Sequence, residues 1–378
     1  MYFIKKVRSY FRTAVFLRAA LLTALLYLIA KGYTAFSTVR SVKECSFGLS
    51  VEAIESNEDF RNLVRQLKRE KPPLVFLFNK HYLGMALNWC CNTEMMDGVH
   101  ERTVFVTLDK QTHHTISHLW PKIRLLNFPH ICFQQRFSGA DFAYQSLFLL
   151  RTNIVSALIN HGLSVWTMQP DTFWRRNILE LHLENQTDFD ALFDAQGFNP
   201  GSFRREHIQA ANFFVRATAQ SGKLFQQVSY YLSNYYMLDP GLFIYYCQTD
   251  DSLQCHYIPY SVASGWEWMY GDHSNPPYLI EMDGEEVLSR KVSQMNAHGF
   301  QFVNQDWSLQ SESPSCNRTA VTRAQELMSE RRLFVPQMTL SKKLHWAIVR
   351  VLDWLMQYSL IERLITVYGG IFSHLVLR

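Results

Sequence analysis

GLSVWTMQPDTFWRRN, residues 162 to 177, is the stretch on which the fold turns. It follows Tyr144 to Asn160, YQSLFLLRTNIVSALIN, where Leu147, Leu150, Ile154, Ala157 and Leu158 fall on one helical face. His161 and Gly162 stop that helix. A β-prone run from Leu163 to Met168 comes next and ends in Gln169, Pro170 and Asp171, ahead of Thr-Phe-Trp. A carboxylate just past a strand that itself follows a helix lies at the carboxyl edge of an α/β sheet, where open sheets bind their ligands. Asp171 is therefore the first candidate for chemistry, and the alternative is that it caps a helix over TFWRRNILEL.

Upstream the same alternation repeats. From Leu74 the order is a strand (LVFLF), a helix, a strand around Val104 (TVFVTL), a helix, a short strand over Ile123 to Phe128, and a helix from about Asp141. This order predicts a three-layer α/β domain with a largely parallel sheet. Asn79 and Asp109 stand at the ends of the first two strands. Beyond Asp190 the pattern is mixed, with aromatic helices over Leu224 to Tyr236 and near Gly241 to Cys247. No Walker A loop, GxGxxG fingerprint or GxSxG elbow occurs. His114 and His118, with His113 beside them, have the i, i+4 spacing of a zinc site but lack the HExxH glutamate, and read as a helix face.

Of the 378 residues 48% are hydrophobic, enough for a full core. The net charge of +4 collects near the start, in Lys5, Lys6, Arg8, Arg12 and Arg18, and does not point to nucleic acid. Residues 1–12 read as a cytosolic tail and 13–36 as a membrane-spanning signal anchor, with a cleaved signal peptide as the rival. Basic residues ahead of the span predict a lumenal body, a type II topology. Residues 37–71 read as a stem and entry helix, 72–306 as the main domain, and 307–341 as a polar linker. Residues 342–378 read as amphipathic helices that pack on the body or lie on a membrane. Of seven cysteines, Cys247 and Cys255 flank a polar TDDS turn and are the expected local bridge, with buried free thiols the other reading. Asn185 and Asn317 head N-x-Thr sequons.

The opening stretch resembles the acidic motif of the nucleotide-diphospho-sugar transferase family, in which a Lys-bearing helix, a Gly and an apolar strand lead to Asp-x-Asp and then a Trp. Arg151 stands for the Lys, Gly162 and Trp174 match, Asp171 is the second acid, and Gln169 replaces the first. Weaker likeness runs from Pro72 to Asp306, through ANFFVRA (211–217), Asp239-Pro240 and YIPYSVASGW (257–266). The resemblance implies a GT-A-like fold and a Golgi membrane protein. It also implies a UDP-sugar donor, Mn²⁺ or Mg²⁺, a glycan or glycoprotein acceptor, and retention at the anomeric carbon.

By that resemblance Asp171 would hold the metal, helped by Glu281 and Asp283 where the family has a His, and Gln169 would add a neutral oxygen. Arg151 and Lys291 would meet the diphosphate, Asn79 and Asp109 the base or ribose, and Asp239 the acceptor side. Each has a blander reading: a solvated arginine for Arg151, turn acids for Glu281 and Asp283, and loop or helix caps for Asn79, Asp109 and Asp239. Two other classes stand beside the enzyme: a catalytically silent lumenal member that binds glycans or partners, and a His-based zinc hydrolase.

Overall fold

The computed structural model describes residues 2–368 apart from 69, 138–140, 198–203, 205–206, 272, 283–286, 305–314, 336, 362 and 365–367. It opens on one continuous helix, α1 (Tyr2–Ser46), followed by α2 (Val51–Ser56) and α3 (Glu58–Leu67). Then come β1 (Leu74–Phe78), α4 (Leu83–Thr93), α5 (Val99–Arg102), β2 (Thr103–Thr107), α6 (Lys110–Leu119) and β3 (Arg124–Asn127). The decisive stretch gives α7 (Phe142–Asn160), β4 (Val165–Thr167) and β5 (Thr172–Trp174). The mixed part holds β6 (Ala191–Ala195), β7 (Ile208–Val215), α8 (Ala219–Asn234), α9 (Asp239–Thr249), β8 (Cys255–Tyr257), β9 (Ala263–Ser264) and β10 (Leu279–Glu281). The chain closes with α10 (Leu288–Ala297), α11 (Arg318–Ser329) and α12 (Leu340–Leu355).

Seven strands form the main sheet in the order β3-β2-β1-β4-β7-β6-β8. β1, β2, β3 and β4 run parallel, while β7 pairs antiparallel with both β4 and β6. Successive strand residues face opposite sides. Val75, Val104, Val106 and Phe213 accordingly enter one core with α3, α7 and α8, while Leu74, Phe76, Phe105 and Phe214 enter a second with α4, α6 and α11. Two cores on one sheet make the expected three layers, and strands buried on both faces explain the unbroken LVFLF and TVFVT runs. A smaller sheet, β5-β10-β9, lies beyond β4 in sequence and carries the loop after Thr167 toward β10.

Three expectations differ from what is seen. Residues 37–46 are no separate stem: α1 runs through them, Val42, Cys45 and Leu49 enter the first core at helical spacing, and Cys45 is bonded to Cys132. The expected linker is partly structural, because Val321, Ala324 and Met328 of α11 are buried in the second core, while residues 305–314 lie outside the described part. TFW is a strand, so Asp171 caps no helix. Within Arg18–Ser56 an apolar window has mean hydropathy 1.5 with none of it buried, compatible with a membrane anchor. α7 passes the same test but its window is 78% buried, as a core helix should be. α12 buries Lys342 and Val349 and leaves Leu344, Ile348, Val351 and Trp354 exposed.

Candidate active site

Asn79, Asp109 and Asp171 each follow the carboxyl end of a parallel strand, β1, β2 or β4, and so share one edge of the sheet. The first two are engaged in holding that edge together. The Asn79 amide donates to the carbonyls of Phe133 (2.9 Å) and Gln135 (2.8 Å), and its oxygen accepts from the His81 N–H (3.1 Å). Asp109 caps α6, accepting from the Thr112 N–H (2.9 Å) and Oγ1 (2.8 Å), and also takes the Lys80 N–H (2.6 Å). Loop and helix capping are the roles their geometry shows.

Asp171 is different. β5 pairs antiparallel with β10 so that Glu281 lies opposite Thr172, and the Met282 N–H donates to the Asp171 carbonyl (2.9 Å). Asp171, 3% exposed, and Glu281, 4% exposed, thus stand on adjacent rungs of the ladder, one opposite Met282 and the other opposite Thr172. Lys291, reaching over from α10, ion-pairs with the Asp171 carboxylate. Burial weakens the Lys291 ammonium's hold on its proton, but attraction to Asp171 and then Glu281 overrides it and raises its pKa above the lysine range. Lys291 is therefore a fixed positive charge bonded to Asp171 and within the field of Glu281.

A polar network supports this cluster from β7. Glu281 accepts from Gln209 Nε2 (2.9 Å) and Asn212 Nδ2 (3.1 Å), and Asn212 Oδ1 accepts from the Gln169 N–H (3.3 Å). Behind it Asp194 accepts from the N–H groups of Ala211 (3.2 Å) and Asn212 (2.7 Å) where β6 and β7 slip register. The bulge puts Ala210 at φ 58°, a left-handed conformation that costs a residue with a side chain about 1–3 kcal/mol. Burial lifts the Asp194 pKa to about 7 against these hydrogen bonds and the nearby Arg151 charge. Tyr82 borders the cluster: burial pushes its phenol up to about 12, the Lys291 charge opposes, and its hydroxyl donates to the Phe137 carbonyl (3.1 Å).

Arg151 and Asp239 form a second, separate pair. Arg151 is not on a solvated face: its guanidinium ion-pairs with buried Asp239 and packs over the rings of Phe148 (4.8 Å) and Phe213 (5.3 Å). Asp239 is not the cap of α9 either, since that position is Leu238 and Asp239 lies in the first turn. Asp283 lies outside the described residues. His114 and His118 are on the exposed face of α6, and His113 Nδ1 sits 3.1 Å from Thr107 Oγ1. Asn212, Asp194, Gln209 and Tyr82 were not singled out from sequence. The available signal was a lone polar residue inside an apolar strand, Asn212 in ANFFV and Asp194 in ALFDA, since burial there requires a polar partner.

Residues 98–295, just over half of the chain, match the model of the nucleotide-diphospho-sugar transferase family. The chain belongs to that family. Asp109, Arg151, Gln169, Asp171, Asp239, Glu281 and Lys291 all fall inside the matched range, and Asn79 precedes it. The chain of this nucleotide-diphospho-sugar transferase family member is similar to three solved glycosyltransferases, each at 12% identity. The bifunctional glycosyltransferase WbbM is matched over 57% of this chain and 46% of its own, with a TM-score of 0.40. The galactosyltransferase LgtC, solved with donor and acceptor sugar analogues, is matched over 70% of this chain and 98% of its own at 0.41. Mouse xyloside xylosyltransferase 1 is matched over 58% and 99% at 0.37. This chain thus spans less than half the length of the first of these. No curated protein matches it.

The divalent cation that the family resemblance implies needs several hard oxygens converging on one point. Among the described residues no three His, Cys, Asp or Glu side chains converge to hold a metal. Asp171 and Glu281 are neighbours, but Gln169 brings an amide in place of an acid and the Lys291 ammonium already sits on Asp171. A dication about 4 Å from an ammonium is opposed by about 8 kcal/mol at an effective dielectric of about 20, which offsets the attraction of one carboxylate at the same distance. The described donor set does not fit Mn²⁺ or Mg²⁺, and no chemical step is derived through one.

Proposed function

We propose that this family member transfers a sugar from a nucleotide-diphosphate donor, a UDP-sugar, to a glycan or glycoprotein acceptor, with retention at the anomeric carbon. The observation that carries this reading is the Asp171, Glu281 and Lys291 cluster at the carboxyl edge of the sheet, inside the range matched to the family. A diphosphate is a dense negative charge, and a buried ammonium at a ligand-binding edge is suited to receive it. In this reading Asn79 and Asp109 hold the loops that border the nucleotide, Tyr82 stands near Lys291, and Arg151 pairs with Asp239 beside β7. Asn212 fixes Glu281 and the Gln169 backbone in register. The domain sits in the Golgi lumen on a type II anchor provided by residues 13–36 of α1.

Full-length protein in detergent should be stabilised by one nucleoside diphosphate out of UDP, GDP, CDP and dTDP. A ligand at about 100 times its dissociation constant adds roughly 2.7 kcal/mol. The corresponding nucleotide sugar should then be slowly hydrolysed, and Asp171→Asn should reduce that turnover. Stabilisation without any turnover across glycan acceptors would favour the silent, glycan-binding member instead, a reading that Gln169 supports. Protein that is cytosolic and unglycosylated in cells would overturn the topology, since the sequon residues Asn185 and Asn317 are both exposed.

A further inference from the structure

We propose that Lys291 supplies from within the chain the positive charge that the leaving diphosphate requires, so that donor binding and transfer proceed without a divalent cation. This rests on the functional reading above and deepens it. Its ground is geometric: the acid expected at position 169 is an amide, and Asp171 is already ion-paired with an ammonium that also feels the charge of Glu281. Lys291 comes from α10, the element that follows β10, and its side chain, 16% exposed, is held against Asp171. An ammonium has three N–H donors. Asp171 takes one of them, and in this proposal the others go to phosphate oxygens of the donor.

In the transfer step the bond between the anomeric carbon and the β-phosphate oxygen breaks, and its electron pair leaves with the nucleoside diphosphate. The acceptor hydroxyl oxygen bonds to that carbon, and the hydroxyl proton passes to the departing diphosphate. Lys291 keeps its proton throughout and stabilises the charge that builds on the bridging oxygen. Asp171 and Glu281 act as positioning residues that keep the ammonium aimed at this point.

The test is nucleotide binding by the full chain in detergent, measured by calorimetry with UDP, GDP, CDP and dTDP in EDTA and again with Mn²⁺. We expect the preferred nucleotide to bind in EDTA within about threefold of its affinity with Mn²⁺. Lys291→Met should weaken binding in EDTA roughly 10- to 100-fold, the range for a lost hydrogen bond to a charged group. Lys291→Arg, which keeps the charge, should restore most of it. Because Lys291→Met leaves the Asp171 carboxylate alone, a double variant with Asp171→Asn removes both charges and should keep the fold while binding stays weak. Affinity that appears only with Mn²⁺, or that survives in both Lys291→Met and the double variant, overturns the proposal while leaving the transferase reading intact. Absence of binding by every nucleotide under both conditions overturns the transferase reading and this proposal with it.

Discussion

Single residues in this chain combine burial with charge, and Asp194 shows the consequence for pH. Burial raises its pKa from the ordinary 3.8 to about 7, although two backbone N–H groups and Asn212 favour its ionised form. A folded carboxyl that binds its proton more tightly than the unfolded one contributes stability that is full below about pH 4 and lost as pH rises through about 7. Asp194→Asn should therefore flatten the part of the stability–pH curve between those limits. Urea unfolding of both proteins at pH 5 and pH 7 reads the difference, and equal slopes would assign the dependence elsewhere. At position 169 the side chain is a neutral amide, so Asp171 two residues on carries the carboxylate of this stretch, and Lys291 is ion-paired with it.

At the level of elements, the strands and the helices around them were readable while the roles of connecting segments were not. LVFLF and TVFVT are long apolar runs with β-branched residues, and they form β1 and β2 at the expected places. α7 is capped by Asp141, whose side chain accepts from the Tyr144 N–H at 2.7 Å, and ends before positive-φ Gly162. The segment expected to be a linker misled because its Ser-rich beginning is polar and its helical part carries widely spaced apolar residues. Val321, Ala324 and Met328 nevertheless form one stripe on α11 that covers α4 and β5, and Gln325 donates to the Trp174 carbonyl at 3.3 Å. Met328→Ala should then cost about 2–5 kcal/mol, as for a buried side chain, in a denaturant melt. A loss below about 0.5 kcal/mol would fit an exposed linker instead.

Across the whole molecule two disulfides tie distant segments together and a third is local. Cys45–Cys132 joins the end of α1 to the edge of the sheet, Cys91–Cys316 joins α4 to the approach of α11, and Cys247–Cys255 closes the expected turn. Cys90 is buried and free. Peptide mapping without reductant should return these three pairs, with Cys90 modified only after unfolding. Replacing Cys91 and Cys316 together by Ala should cost about 2–5 kcal/mol, since their bond closes a loop of 225 residues. Full alkylation of all seven cysteines in the native protein would contradict the pairing. Bridges of this kind persist in an oxidising compartment. α1 enters the body without a hinge, and the first bridge ties its carboxyl-terminal end to Cys132.

The sequence by itself determined the layered α/β order, the position of Asp171 past a parallel strand and the apolar N-terminal helix, and it offered Cys247–Cys255 as one of two readings of that turn. Each is local: a period, a cap or a turn spanning about 20 residues or fewer sets it. Only the tertiary structure decided that Lys291 meets Asp171 across 120 positions and that Arg151 meets Asp239 across 88. It likewise decided that Cys45 and Cys91 find partners 87 and 225 residues away. Such pairs leave no periodic trace, because what brings the charges together is the antiparallel docking of β10 on β5 and the packing of α7 against α9 and β7. Whether a buried charge faces a ligand or an internal counter-ion is settled by which elements the two cores pull into contact.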